Sequence, residues 1–254
     1  MTDNQKIALI TGASRGIGRN TAIHLAGKGV GVVITYLSNK DQADTAIKEI
    51  EAKGSKGVAL RLDVSQSDTF EVFKQRFGQS LKETWGREDF DYLVNNAGFG
   101  IAKPILETTE EEFDKLVNTQ YRGLFFITQK LIPLLKDGGS IVNITSGLTR
   151  IAFGNNSAYA MTKGGVEVFT RYLAKELGRR QITANSVAVG ATETDFGGGA
   201  VRDNEQLNRS IAAQTALGRV GLPEDIGGVV ACLLSEESRW INGQRIEASG
   251  GIFL

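Results

Sequence analysis

The chain passes from an apolar run, KIALIT, into TGASRGIG at residues 11–18 and from there into a helical pattern over residues 15–28. Glycine permits a sharp turn and a close approach of phosphate to main-chain N–H groups, and a helix N-terminus adds unpaired donors and partial positive charge. The spacing is G-x-x-x-G-x-G in a chain with 31 glycines, so the position after the first strand is the stronger evidence. The segment therefore favours a nucleotide-binding turn over an ordinary tight turn.

Short aliphatic or β-branched runs alternate with longer amphipathic segments along the rest of the chain. The predicted strands are KIALIT, VGVVITY, GVALRL, DYLVNN, SIVNIT, ITANSVA and QRIEA. The predicted helices lie at residues 15–28, 41–53, 67–85, 109–136, 157–179 and 223–235. Near-continuous apolar strands indicate burial on both faces, so the pattern predicts an α/β fold: a doubly wound (Rossmann) parallel sheet of about seven strands with helices on both faces. A TIM barrel would need eight strand–helix repeats.

No linker or internal repeat divides the chain, so we expect one domain over residues 1–254. The stretch at residues 190–215, called the lid segment below, is irregular and holds three consecutive glycines at 197–199. A loop of this length in a compact domain is usually functional or disordered, which predicts a mobile lid over a crevice. Residues 74–90, with Trp85, form an unusually long segment that is either a lengthened helix end or a loop.

The composition argues against several classes of partner. The 29 Lys and Arg residues balance the 29 Asp and Glu residues, so we expect neither nucleic acid nor an anionic membrane surface as a partner. Cys232 and His24 are the only residues of their types, which excludes intrachain disulfides and Cys/His zinc sites, and no metal is expected. The chain shows no run of about 18 apolar residues and no signal-like start, so we predict a cytoplasmic protein.

The end of the second strand favours NADP over NAD. An acid about 20 residues beyond the glycine turn would hydrogen-bond an adenosine ribose 2′-hydroxyl. The sequence there is Tyr36-Leu37-Ser38-Asn39-Lys40 and contains no acid. Arg15 and Lys40 could instead meet the ribose 2′-phosphate of NADP, which a carboxylate would repel.

Three residues predict the chemistry. Tyr159 and Lys163 are four residues apart in a predicted helix, which places both side chains on one face. Ser146 lies just past the SIVNIT strand and thirteen residues before Tyr159. In a doubly wound sheet that strand end faces the ligand crevice. The three therefore predict one shared site at this crevice, with a phenol that can act as acid or base and a cation that can stabilise its anion.

TGASRGIG, the run Asn95-Asn96-Ala97-Gly98 and the set Ser146, Tyr159 and Lys163 resemble the short-chain dehydrogenase/reductase family over nearly the whole chain. The resemblance is nearest to 3-oxoacyl-carrier-protein reductases and related ketoreductases. It implies a homotetrameric, nicotinamide-dependent oxidoreductase. Together with the preference for NADP, this predicts the reversible reduction of a ketone or a 3-oxoacyl-type carbonyl with NADPH. The partner is then a small-molecule carbonyl or alcohol substrate.

The resemblance also implies roles for individual positions. Tyr159 is the acid or base, Lys163 also holds the nicotinamide ribose, and Ser146 bonds the substrate oxygen. The predicted cofactor-binding residues are Gly12, Ser14, Arg15, Gly16, Ile17, Gly18, Tyr36, Ser38, Asn39, Asp63, Val64, Asn95, Ala97, Gly98, Tyr159, Lys163, Gly190, Thr192 and Thr194. Phe99, Ile101, Phe153 and Phe196 are candidates for an apolar substrate pocket.

The sequence departs from the family pattern at two places. The family's catalytic Asn is replaced by Gln120, unless a different helix register brings Asn118 to that place. The usual Pro-Gly after the sixth strand is Val189-Gly190. These departures motivate an alternative, a dinucleotide-binding regulatory or scaffold protein with weakened catalysis, against which the intact Ser146, Tyr159 and Lys163 set argues. An epimerase or dehydratase with tightly held cofactor would need a larger substrate portion.

Overall fold

The computed structural model describes residues 5–254. Its strands are β1 (Ile7–Ile10), β2 (Gly31–Tyr36), β3 (Gly57–Arg61), β4 (Phe90–Asn95), β5 (Leu135–Ser146), β6 (Thr183–Val189) and β7 (Arg245–Ala248). They form one parallel sheet in the order β3-β2-β1-β4-β5-β6-β7. All seven predicted strands and the doubly wound topology are confirmed. The chain reverses direction across the sheet between β1 and β4, which opens a crevice at the carboxyl ends of the strands.

Helices cover both faces of the sheet. They are α1 (Gly16–Gly27), α2 (Lys40–Ala52), α3 (Phe70–Trp85), α4 (Glu110–Val117), α5 (Gly123–Leu131), α6 (Ser157–Leu177), α7 (Ala200–Asp203), α8 (Glu205–Ala212) and α9 (Pro223–Leu233). Side chains of β1 alternate between the faces: Ala8 and Ile10 pack with α1, α2 and α9, whereas Ile7 and Leu9 pack with α3, α5 and α6. Within residues 5–254, no helix is both long and apolar enough to cross a membrane.

The prediction of one continuous helix over residues 109–136 is wrong. The structure divides it into α4, a π-helical turn at Asn118–Arg122, α5 and a short 3-10 turn, after which β5 begins at Leu135. The residue after the π-helical turn has to be glycine, because a Cβ atom on Gly123 would overlap the carbonyl oxygen of Val64. Such π-helical turns inside α-helices are frequent at functional sites.

The long segment before β4 is a lengthened helix. Phe73, Phe77, Leu81 and Trp85 follow one another at spacings of four residues and bury one face of α3 against the sheet. The Trp85 ring covers Gly31 of β2, where a Cβ would lie 2.5 Å from the indole nitrogen. That nitrogen donates to Gln5 Oε1 at 3.0 Å. The helical alternative is therefore the correct one.

The lid segment is more ordered than its sequence suggests. It contains a 3-10 turn at Phe196–Gly199 followed by α7 and α8. Residues 197–199 all have positive φ angles, of 61°, 73° and 80°, a conformation that glycine adopts without steric cost. Short helices thus occupy most of the segment that was expected to be irregular.

Candidate active site

The carboxyl ends of β1, β4, β5 and β6 border a cavity of about 650 Å³, within the range of small-molecule sites. Most of the predicted site residues lie in its wall. Those that do are Gly12, Ser14, Arg15, Gly16, Ile17, Tyr36, Asp63, Val64, Ala97, Gly98, Ser146, Tyr159, Lys163, Gly190, Thr192 and Thr194. The structure therefore brings together residues that are up to 182 positions apart in the sequence, from Gly12 to Thr194.

Five predicted site residues lie outside this wall: Gly18, Ser38, Asn39, Asn95 and Gln120. Asn95 was expected to bind cofactor, but its amide nitrogen donates to Thr128 at 2.9 Å and to Asn143 at 2.8 Å. It therefore joins β4 to α5 and β5 inside the protein.

The two polar residues beyond β2 also have other positions than expected. Asn39 caps α2 by accepting from the Gln42 N–H at 3.0 Å, and the exposed Ser38 precedes it. Lys40, expected to meet a 2′-phosphate, pairs with Asp44 at 2.6 Å. In their place Leu37 joins Tyr36 in the cavity wall.

Asn96, which the sequence analysis did not single out, holds the glycine turn. Its amide nitrogen donates to the carbonyl oxygens of Thr11 and Gly12, each at 2.9 Å. Gly18 has no room for a side chain, because a Cβ there would lie 2.5 Å from that nitrogen. Gly18 thus shapes the turn without lining the cavity, and Asn96 replaces Asn95 as the wall residue.

The start of α1 suits a phosphate group. Gly12 and Gly16 have φ angles of 64° and 58°, and a Cβ on Gly12 would lie 2.8 Å from Ala97 Cα. No side chain caps α1 and no acid stands in its first turn, so its first N–H groups are free to bind an anion. Arg15 lies in the same part of the wall, where its guanidinium pairs with Asp195 at 3.3 Å. These features fit the pyrophosphate of a dinucleotide.

Ser146, Tyr159 and Lys163 meet at the cavity although β5 and α6 supply them separately. Their side chains are largely buried. Lys163 Nζ donates to the Ile144 carbonyl at 3.0 Å and stands 5.7 Å from the centroid of the Tyr159 ring. The Leu148 N–H donates to Ser146 Oγ at 3.2 Å and orients the hydroxyl. The three predicted catalytic side chains therefore share one corner of the cavity.

Burial sets the protonation of this corner. It raises the pKa of the Tyr159 phenol above its ordinary value, and the neighbouring Ser146 hydroxyl acts in the opposite direction. Burial also lowers the pKa of Lys163 to about 8. At neutral pH, Tyr159 is thus a protonated donor beside a cationic Lys163.

We expect Lys163 to make stability depend on pH. Its pKa is about 8 in the folded protein, against an ordinary value of 10.5, so within this window the unfolded chain binds a proton that the folded chain does not. The free energy of unfolding therefore rises with pH across the window, by on the order of 3 kcal/mol from this residue. Urea titrations of the cofactor-free protein below, within and above the window measure the rise.

Two variants isolate that contribution. In Lys163→Met, the free energy of unfolding should no longer show the part of its rise with pH that comes from this lysine. Lys175→Met removes an exposed lysine of the same helix and should show the full rise. Equal pH profiles for wild type and Lys163→Met would contradict the burial argument.

Gln120 lies in the π-helical turn, fully buried. Among residues 5–254, neither its amide oxygen nor its amide nitrogen has a hydrogen-bond partner. The oxygen lies 2.8 Å from where a Cβ on Gly98 would stand. Asn118 instead begins the turn, and its carbonyl accepts from the Gly123 N–H. The structure thus places Gln120, and not Asn118, against the Gly98 segment.

Aromatic and aliphatic side chains form the remaining wall. Of the predicted pocket residues, Phe99, Phe153 and Phe196 line the cavity and Ile101 does not. The Phe196 ring meets the Tyr159 ring edge-on at a centroid distance of 5.7 Å. Further lining residues without a recognisable sequence signal are Leu148, Ile151, Val201, Ile211, Gln214, Ile252 and Phe253.

Comparisons with known proteins agree with this geometry. The family model described as enoyl-(acyl carrier protein) reductase matches residues 12–252. A hydroxynaphthalene reductase-like protein, Arp2 of Metarhizium majus, is 37% identical over 261 residues, which cover 97% of this chain and 94% of the relative.

Two solved structures are similar over almost their full length. LugOII, a promiscuous reductase that catalyses keto-reduction at C1 during lugdunomycin biosynthesis, has a TM-score of 0.94 and 39% identity, with 100% of both chains covered. The angucycline C-6 ketoreductase LanV with bound NADP has a TM-score of 0.93 and 37% identity, with 98% of this chain and 95% of that chain covered. The family model covers most of the chain, and the relatives share 37% and 39% of its residues over almost its full length. The chain therefore belongs to the short-chain dehydrogenase/reductase family of oxidoreductases.

Proposed function

We propose that the protein is an NADPH-dependent ketoreductase whose substrate is a ketone carried on a fused-ring aromatic skeleton. The observation that carries this proposal is the corner where Ser146, Tyr159 and Lys163 meet beneath aromatic walls. The ring systems named for the relatives, a hydroxynaphthalene and an angucycline, support the substrate class. The scaffold alternative is not favoured, because Ser146, Tyr159 and Lys163 are all present and line one cavity.

A comparison of ketones tests the proposal. NADPH consumption, followed by its absorbance, should be faster with a two-ring or three-ring aromatic ketone than with an acetoacetyl thioester. A preference for the thioester would instead indicate a 3-oxoacyl reductase. Tight NADPH binding without turnover of any carbonyl compound would favour the scaffold alternative.

The cofactor site is the wall that runs from the glycine turn to the catalytic corner. The free N–H groups at the start of α1 and the Arg15 guanidinium would hold its phosphates, and Lys163 would hold the nicotinamide ribose. The remaining predicted contacts are proposed at Asp63, Val64 and Thr194 and at the other wall residues named above. NADPH supplies the hydride when bound.

Residues of the chain itself transfer the proton to the substrate oxygen. Ser146 Oγ donates a hydrogen bond to the substrate oxygen, on which negative charge grows during reduction. Tyr159 Oη delivers its proton to that oxygen, and its raised pKa keeps it protonated beforehand. The Lys163 cation then stabilises the phenolate.

Gln120 is proposed as a positioning residue in the place of the family's Asn. Its buried amide offers one acceptor and two donors beside Gly98. These groups can hydrogen-bond to a chain of water molecules through which Tyr159 regains its proton. The longer side chain and the π-helical turn together bring the amide to this position.

We expect Tyr36→Asp to shift cofactor preference toward NADH. A carboxylate at this wall position would accept a hydrogen bond from a ribose 2′-hydroxyl and repel a 2′-phosphate. The ratio of kcat/KM with NADPH to kcat/KM with NADH should fall by at least about tenfold. Tyr36→Asn removes the same ring without adding charge and is the matched control. An unchanged ratio in Tyr36→Asp would mean that the end of β2 does not contact the ribose.

We also propose a cytoplasmic homotetramer in which residues 1–254 form one domain and the lid segment moves over the cavity. Exposed apolar side chains on α5 and α6 support self-association, since Phe125, Met161, Val168 and Tyr172 are 41%, 65%, 46% and 62% exposed. The positive φ angles of residues 197–199 support movement of the lid segment at that end.

A further inference from the structure

The last residues of the chain are joined to the lid segment. We call residues 249–254 the C-terminal tail. Three main-chain hydrogen bonds connect it with the chain after α8: from Leu217 to Gly250 at 3.1 Å, from Ala216 to Gly251 at 3.2 Å and from Phe253 to Gln214 at 3.0 Å. Ile252 pairs with Thr215 in an antiparallel bridge. The tail thus anchors the far end of the lid segment.

A second anchor holds the tail on its other side. Arg150 follows the catalytic strand by four residues and donates to the Ile252 carbonyl at 3.3 Å. The same guanidinium binds Glu247 at the end of β7 through two hydrogen bonds of 2.8 and 2.7 Å. Two independent parts of the chain therefore fix the position of the tail.

Phe253 has an unfavourable backbone conformation at this fixed position. Its φ angle is 52°, in the left-handed region, which costs a side-chain-bearing residue roughly 1–2 kcal/mol. Despite this cost, its side chain lines the cavity and is 38% exposed. Strained residues that the surrounding structure holds in place are concentrated at functional sites.

Phe253 is not the ring that packs against the reacting phenol. Phe196 makes that contact with Tyr159, whereas Phe253 belongs to the anchored tail and lines the same cavity. A flat aromatic surface there offers stacking and edge contacts to a planar ligand. It cannot donate or accept a proton.

We propose that Phe253 is a specificity-determining residue that contacts the distal rings of a fused-ring ketone. This inference rests on the proposed function and deepens it. The Phe253 ring stabilises the bound substrate without taking part in the proton or hydride transfer, so its effect falls on KM and Kd and not on kcat. A one-ring ketone lacks the distal rings and gains nothing from the contact.

The test compares Phe253→Gly with wild type on substrates of two sizes. Glycine removes the ring and adopts the same φ angle without strain, so the melting temperature should not fall. We expect KM and Kd for a three-ring aromatic ketone to rise about tenfold to hundredfold. KM for a one-ring aryl ketone should change less than about twofold. Leu254→Gly, which alters a 96% exposed neighbour, is the matched control and should behave as wild type.

Binding gives a readout that does not depend on turnover. Kd is measured with the NADP-loaded protein by fluorescence titration of the three-ring ketone. Equal Kd values for wild type and Phe253→Gly, or equal losses with both substrate sizes, would overturn the inference. If wild type binds the three-ring ketone but reduces no carbonyl compound, the proposed function fails while the Kd comparison still decides the role of Phe253.

Discussion

Tyr159→Phe should lower kcat/KM for ketone reduction by about a thousandfold while leaving the Kd for NADPH nearly unchanged. The substitution removes only the phenolic oxygen, and with it the proton that the substrate oxygen must receive. The ring remains between α6 and Phe196, where it packs at a centroid distance of 5.7 Å, so folding should be preserved. Steady-state rates, NADPH titrations and the melting temperature measure these three quantities.

The division between kcat and binding distinguishes an acid from a structural residue. A general acid contributes only when the carbonyl oxygen becomes basic, so its loss appears in both kcat and kcat/KM. Retained turnover in Tyr159→Phe would contradict the assignment. A loss that comes with weaker NADPH binding or a lower melting temperature would indicate a packing role.

Ser146→Ala should lower kcat/KM by about a hundredfold to a thousandfold, through kcat more than through KM. The Ser146 hydroxyl is held by the Leu148 N–H at 3.2 Å and is therefore preoriented before the substrate arrives. A fixed donor of this kind is most effective when charge develops on the substrate oxygen. Single-turnover rates with saturating NADPH measure the effect on chemistry alone.

Two further variants define the cause of that loss. Ser146→Thr keeps a hydroxyl and should recover part of the rate. Ser140→Ala removes a hydroxyl of similar burial from the other end of β5, outside the cavity wall. Comparable rates in Ser146→Ala and wild type, or an equal loss in Ser140→Ala, would contradict the role of Ser146.

Much of the fold was accessible from sequence, because parallel strands buried on both faces leave uninterrupted apolar runs. The catalytic corner was also accessible, since Tyr159 and Lys163 share one helix face and Ser146 ends a strand. The resemblance to the short-chain dehydrogenase/reductase family, which the comparisons confirm, located the glycine turn and most of the cavity wall.

The errors have local physical causes. Neighbouring residues at a strand end point in opposite directions. The prediction therefore named Asn95, which points into the interior, instead of Asn96, which lines the cavity wall. The π-helical turn at Asn118–Arg122 leaves no mark in the helical periodicity of residues 109–136. Phe253 carries no signal at all, since only the folded chain brings the C-terminal tail to the cavity.

The packing of Trp85 over Gly31 gives the protein an internal spectroscopic reporter. Trp85 is 9% exposed and Trp240, the second tryptophan of the chain, is 99% exposed. Their fluorescence emission maxima should therefore differ, with the component of shorter wavelength arising from the buried Trp85 indole. In a Trp240→Phe background, a red shift of that component during denaturation follows the detachment of α3 from the sheet.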